Sequence, residues 1–186
     1  GIGPRRTWGT IIAARNIDIR PSEFARNTGN DENYKSPQPG TLHTADIIID
    51  KEVWATIVGA YGFMPESKNG WDALLGIAHE CADLLDSGND RVILAGDFNL
   101  WPDDLVPIIE ENLGLVDVMS FVEDLPELED AVGGSRIWTH KNGNSPNAAR
   151  QELDFIFVSE ELSDEVTTVG GGINDFPDSW DMSDHA

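Results

Sequence analysis

The stretch "RVILAGDFNLWPDD" (91–104) runs four apolar or small residues, Val92 to Ala95, into a glycine, then an acid, an aromatic and an amide. Asp97 and Asn99 stand two positions apart at the end of this predicted strand, so the pleat lets both side chains point the same way. A carboxylate beside a carboxamide can take a proton from water, hold a cation or hydrogen-bond an oxyanion. Taken alone, "GDFN" is equally an ordinary turn. Three further stretches carry groups of the same kind. Asp154 is the one charge inside the apolar run 153–158 of "ELDFIFVS" (152–159), Asp184 and His185 stand in "SDHA" (183–186), and Tyr61 ends "WATIVGAY" (54–61). A carboxylate that accepts from one imidazole nitrogen fixes the tautomer and favours the cation, leaving the other nitrogen to donate to an anionic oxygen.

The elements that would carry these residues are legible. "WGTIIAARN" (8–16) reads as a strand, and residues 20–42, rich in Pro, Asn, Gly and Ser, as a long loop. "ADIIID" (45–50) and "WATIVGAY" (54–61) read as a hairpin with Asp50 and Lys51 at its tip. Residues 69–86 have helical period, with Trp71, Leu74, Leu75, Ala78, Ala82 and Leu85 as the expected buried face. The near-continuous apolar run 91–96 is of the type buried on both faces. A helix is expected from Pro102 to about Glu111, capped by Asp103 or Asp104. Residues 115–119, 136–139, 152–159 and 165–172 read as strands. Strands outnumber helices, which gives an α/β or α+β class.

The totals narrow the partners. The chain has 186 residues, enough for one domain with a core. Asp plus Glu is 34 against 12 Lys plus Arg, a net charge of −22. The acids are dispersed, and Lys is scarce, the composition of a halophilic protein whose self-repulsion is screened by salt. No basic stripe is visible. Cys81 is the only cysteine, so no internal disulfide forms. No apolar run reaches bilayer length, so no membrane partner is expected, and the first residues lack the apolar centre of a signal peptide. A cytoplasmic setting is the expectation, with secretion left open. Nothing in the sequence points to a protein partner or an oligomeric state.

In order and spacing, "AGDFN" (95–99), "RIWT" (136–139), "RQELDFIFVS" (150–159) and "SDHA" (183–186) resemble the endonuclease/exonuclease/phosphatase superfamily, the group of DNase I-like and exonuclease III-like nucleases. There a strand ends in Gly-Asp-Phe/Leu-Asn, a Trp-Thr strand leads to an Arg-led segment containing Asp-Tyr/Phe-Ile, and the domain closes near Ser-Asp-His. Tyr61 falls where the family places a catalytic His or Tyr. The resemblance runs from about Trp8 to Ala186. It implies a four-layer α/β/β/α sandwich, here a single domain (1–186) lacking its N-terminal strands, among them those bearing an Asn and a metal-holding Glu.

The same resemblance implies the roles. Asp97 orients or deprotonates the attacking water, and Asn99 hydrogen-bonds that water or the phosphate. Asp154 pairs with His185, which donates to a phosphoryl oxygen, and Tyr61 donates its phenol proton. Asp184 is a metal-side carboxylate for Mg²⁺ or Mn²⁺, a hard cation that takes few protein carboxylates and keeps several waters. The expected activity is a metal-dependent phosphodiesterase, foremost a nuclease with DNA or RNA as partner. The alternatives are a phosphoesterase of the superfamily acting on a lipid headgroup, an inositol phosphate or a small phosphodiester, and an incomplete, non-catalytic binding module. Other residues read as ordinary structure: His43, His79 and His140 as structural or surface, Trp138 as core beneath the site, and Asp103, Asp104, Glu110 and Glu111 as capping and surface charge. Arg150 is left between a phosphate contact and an ion pair.

Overall fold

Asp50 and Lys51 both take positive φ, 52° and 74°. They form the two-residue turn whose twist matches that of flanking antiparallel strands. The computed structural model describes residues 12, 14–22, 42–62, 70–122, 133–141 and 149–166, without the side chains of 70–73. The turn joins β2 (Leu42–Ile49) to β3 (Glu52–Tyr61), both longer than the sequence suggested. Before them, β1 (Asp18–Pro21) pairs antiparallel with β2. That short, mostly exposed edge strand enters the stretch read as loop. The expected strand at 8–16 lies mostly outside the described residues, and Arg15–Asn16 form a bend.

From β3 the chain crosses through helix α1 (Gly70–Asp86) to β4 (Val92–Asp97), which lies parallel to β3. Parallel neighbours need such a crossover, and it lays the helix on the sheet. The buried stripe of α1 is Leu74, Ile77, Cys81 and Leu84. This corrects the expected face, because Leu75 is 55% exposed and Ala78, Ala82 and Leu85 are only half-buried. Two overlapping stripes share the helical period, and the bulkier Ile77 and Leu84 fill the space over the sheet. Burial, with the charge of Glu80 adding to it, pushes the Cys81 thiol up to about 12.

Helix α2 (Pro102–Leu113) starts at Trp101, which makes no side-chain cap; Asp103 and Asp104 lie inside the first turn. The expected acidic cap is thus displaced: Pro102 occupies the first helical position, and the two acids face the positive end of the helix dipole. Gly114, with φ 64°, ends the helix. A short β5 (Val116–Asp117) continues into a 3-10 turn over Val118–Phe121 instead of the longer expected strand. The last pieces are β6 (His140–Lys141), β7 (Arg150–Gln151), β8 (Asp154–Val158) and α3 (Glu160–Ser163).

The six-stranded sheet has the order β1-β2-β3-β4-β8-β5, and β6-β7 form a separate hairpin. Residues opposite one another in register share a face. Val58, Leu94 and Phe157, with Ala60 and Phe155, pack under α1 and under Leu105 and Ile109 of α2. The other face carries Ile57, Ile93 and Val158, then Gly59, Ala95 and Ile156. Ile12 lies against Gly59 there, and Ile156 is 48% exposed. So β4 buries Val92 and Leu94 on one face and leaves Ile93 and Ala95 half-buried on the other, less than its apolar run suggested. The architecture is a mixed α/β fold.

Candidate active site

One row of the sheet ends in polar side chains. Tyr61 pairs in register with Asp97 across β3 and β4, and Asp97 pairs with Asp154 across β4 and β8. Three neighbouring strands thus bring a phenol and two carboxylates to one edge, each half-buried. By strand parity the row lies on the face away from α1 and α2.

The turn after β4 is built by close approach. A Cβ on Gly96 would overlap the Ala60 carbonyl, and one on Gly62 would overlap the Phe98 backbone. Phe98 drives the turn inward. It is 1% exposed and meets Phe155 and Phe157 edge-on, with centroids 6.0 and 5.9 Å away. The Gly62 N–H donates to the Asp97 carbonyl at 2.6 Å and the Phe98 N–H to the Leu153 carbonyl at 2.8 Å. All three strand ends are stitched at this level.

Asn99 lies beyond the strand, with φ 52°. Its N–H donates to Asp97 Oδ1 at 3.0 Å, and its side-chain Nδ2 donates to the Gly62 carbonyl at 2.9 Å. The left-handed turn and this strap set where the amide sits. Pleat alternation, the expected reason for the Asp-x-Asn spacing, is corrected by this geometry. The two residues are joined through the turn.

The "RIWT" stretch is not a strand; Arg136 and Ile137 form a bend and pairing begins at His140. The reason is Glu152, whose carboxylate accepts from the N–H groups of Arg136 and Ile137 where a ladder partner would stand. Thr139 Oγ1 accepts from the N–H of Leu153 and of Asp154, each at 3.0 Å. Burial works against the charge of Arg136, but its hydrogen bond to Glu152 and the charges of Asp117 and Glu152 outweigh it and hold the guanidinium pKa above its ordinary value. Sequence reasoning assigns Glu152, Arg136, Asp117 and Thr139 no role. The signal that could have found them is an acid just before an otherwise apolar strand.

Trp138 is half-buried and stacks under the Arg150 guanidinium at 4.5 Å, so it does not pack in the core beneath the site, and Arg150 takes a third partner, an aromatic face. Lys141 faces Arg150 across the β6–β7 hairpin. His43 and His79 are exposed, His140 is half-buried, and Asp103, Asp104, Glu110 and Glu111 are exposed, as expected of surface groups. Asp184 and His185, and hence the expected pairing of His185 with Asp154, lie outside the described residues, as does the expected strand at 165–172 beyond Val166.

Among the described residues no group of three or more His, Cys, Asp or Glu side chains is placed to hold a metal ion. Asp97, Asp154 and Asn99 carry oxygen donors, the chemistry that Mg²⁺ or Mn²⁺ accepts. Among the described residues no helix is long and apolar enough to cross a membrane.

A parallel strand pair joined by a helix, ending in an acid and flanked by a second acid-bearing antiparallel strand, makes a mixed α/β fold. The chain belongs to the Endonuclease/Exonuclease/phosphatase family, whose model matches residues 82–185, more than half of its length. No curated protein matches the sequence. Among solved structures, the chain is similar to the 3' phosphatase NExo from Neisseria bound to product DNA hairpin, with 17% identity, TM-score 0.52, and coverage of 91% of this chain and 68% of that one. It is also similar to the endonuclease domain of TRAS1, a telomere-specific non-LTR retrotransposon, at 15% identity and TM-score 0.48 over 81% of this chain and 59% of that one. A family protein from Bacteroides thetaiotaomicron matches at 16% identity and TM-score 0.45 over 64% of this chain and 41% of its own. The chain therefore spans 59% and 41% of the latter two. The Neisseria likeness shows the DNase I-like fold.

Proposed function

We propose that the protein is a metal-dependent phosphodiesterase whose substrate is DNA or RNA. One observation carries the reading: Tyr61, Asp97 and Asp154 share a single register row at the end of three adjacent strands. Membership of a hydrolase family supports it.

Hydrolysis needs water activated on one side of phosphorus and a leaving oxygen protonated on the other. Asp97 takes a proton as the water oxygen bonds to phosphorus; the phosphorus–oxygen ester bond breaks, and Tyr61 gives its phenol proton to the departing oxygen. Asn99 orients the water or a phosphoryl oxygen. Asp154 holds His185 in the tautomer that donates to a phosphoryl oxygen as charge builds. When bound beside Asp184, Mg²⁺ or Mn²⁺ would supply charge neutralisation at the phosphoryl oxygens. The Lys141–Arg150 pair favours an anionic substrate, because two cations held opposite each other repel until an anion lies between them.

The test is a substrate panel on the product of the full reading frame, in high salt: supercoiled plasmid, short DNA and RNA duplexes, single strands, and small phosphodiesters. Divalent-dependent cleavage of a nucleic acid, abolished by chelator and by Asp97→Ala, is expected. Cleavage of the small esters alone would move the substrate class. No cleavage of any member would overturn the proposal.

A further inference from the structure

Two residues before Asp154 the chain buries a glutamate completely: Glu152 is 0% exposed. Its Oε2 accepts from the Arg136 N–H at 2.6 Å, and its Oε1 from Arg136 Nη2 at 2.6 Å. The same Nη2 lies 2.6 Å from Oδ2 of Asp117, which is 1% exposed. Two buried carboxylates therefore share one guanidinium. An apolar residue at 152 would escape the desolvation cost but leave the Arg136 and Ile137 N–H groups and the guanidinium short of an acceptor, so the acid is there for those partners.

What the acid does is local. It holds Arg136 and Ile137 out of the ladder and so fixes the segment 135–139 against the foot of β8. The Glu152 N–H donates to Ser135 Oγ at 3.3 Å and the Thr139 N–H to the Gln151 carbonyl at 3.0 Å. That path ends on the Thr139 hydroxyl, which takes the Leu153 and Asp154 N–H groups. We infer that Glu152 is a positioning residue for Asp154, acting through the 135–139 segment and the Thr139 hydroxyl to hold that carboxylate in the Tyr61–Asp97–Asp154 row. The inference rests on the proposed reading of Asp154 as part of the reacting site. It adds a buried charge cluster that touches no substrate but sets where one reacting group stands. A shift of about 1 Å at a reacting group can cost about 100-fold in rate.

The experiment compares Glu152→Gln, Thr139→Val, Thr139→Ser and a control, Leu84→Ala, on the full-length protein. Leu84 is buried on α1 and lines the cleft with Arg91 at the opposite end of β4 from Asp97. Steady-state cleavage, the thermal midpoint, and the amide resonances of Leu153 and Asp154 are recorded for each. Glu152→Gln and Thr139→Val are expected to lower kcat by about 10-fold or more with KM within about twofold, and Thr139→Ser to restore kcat to within about threefold. Leu84→Ala is expected to lose at least as much thermal midpoint while keeping kcat within about twofold. If Glu152→Gln fails to fold, Thr139→Val and Thr139→Ser carry the comparison. Unchanged kcat in Thr139→Val, or an equal kcat loss in Leu84→Ala, overturns the inference. A wild type that cleaves nothing refutes the functional reading instead, and the amides then decide the positioning claim. Movement of the Leu153 and Asp154 resonances in the Glu152 or Thr139 variants, and not in Leu84→Ala, supports it; still resonances overturn it.

Discussion

Asp97 and Asp154 face each other directly across the antiparallel β4–β8 pair. Like charges in directly opposed positions destabilise a sheet. The fold carries that cost at the row read as catalytic, where one carboxylate is meant to take up a proton and the other to steady an imidazole. Neutralising Asp97 should then relieve the repulsion in the resting protein while removing its activity. Asp97→Asn is expected to raise unfolding free energy by about 0.2–1 kcal/mol, measured by denaturant titration at low divalent concentration, and Asp154→Asn, which also gives up the proposed pairing with His185, is expected to raise it less. Each should lower cleavage by about 100-fold or more. A destabilised Asp97→Asn would show that the carboxylate is held for packing.

Asn99 separates turn from chemistry. Its φ of 52° favours Gly or Asn, and its amide straps Gly62. Asn99→Gly keeps the backbone and loses the strap; Asn99→Ala loses the strap and adds left-handed strain. Chemical melts should place Asn99→Ala about 1 kcal/mol below Asn99→Gly, with both strongly impaired in cleavage. Equal stability of the two variants would argue against a left-handed turn.

Much of this frame is legible in the sequence. The Asp50–Lys51 turn, α1, β4, α2 and β8 each carry a strong local signal: alternation, a helical period, or a Pro start. The misses share one physical cause, that the deciding partner is distant in sequence. β1 is too short and polar to announce itself without β2. Which stripe of α1 faces inward depends on Phe157 and Leu94, and local period cannot choose. "RIWT" has strand propensity, yet Glu152 intercepts its N–H groups. Trp138 looks like core until Arg150 is seen lying on it. Tyr61, Asp97 and Asp154 are proposed from motifs alone. Their common row needs the register of three strands, which no single stretch encodes.

Arg150 and Lys141 should contribute to substrate affinity more than to turnover. Arg150→Ala is expected to weaken binding to a DNA duplex uniformly across sequences and to lower the slope of log affinity against log salt by about one. Fluorescence anisotropy over a salt series measures both. An unchanged slope would remove the hairpin from the substrate path.

Cys81 gives an alkaline signature. Its thiol is raised from 9.0 to about 12 in the folded chain. The unfolded chain therefore releases this proton first, so stability falls as pH climbs from about 9 to 12 and is unaffected by this group below that window. Wild-type unfolding free energy should fall more steeply over that range than that of Cys81→Ala. The native thiol should also resist alkylation at pH 8 and react only on unfolding.

The central claim is that Tyr61, Asp97 and Asp154 act together on one phosphodiester. Single-turnover cleavage by the full-length protein, its Asp97→Ala and Asp154→Ala variants and the double variant tests it most directly. Groups that act as a unit are non-additive. Each single change is expected to cost about 1,000-fold, and the double change little more than either alone. Losses that multiply, or an Asp154→Ala enzyme as fast as wild type, would contradict the account.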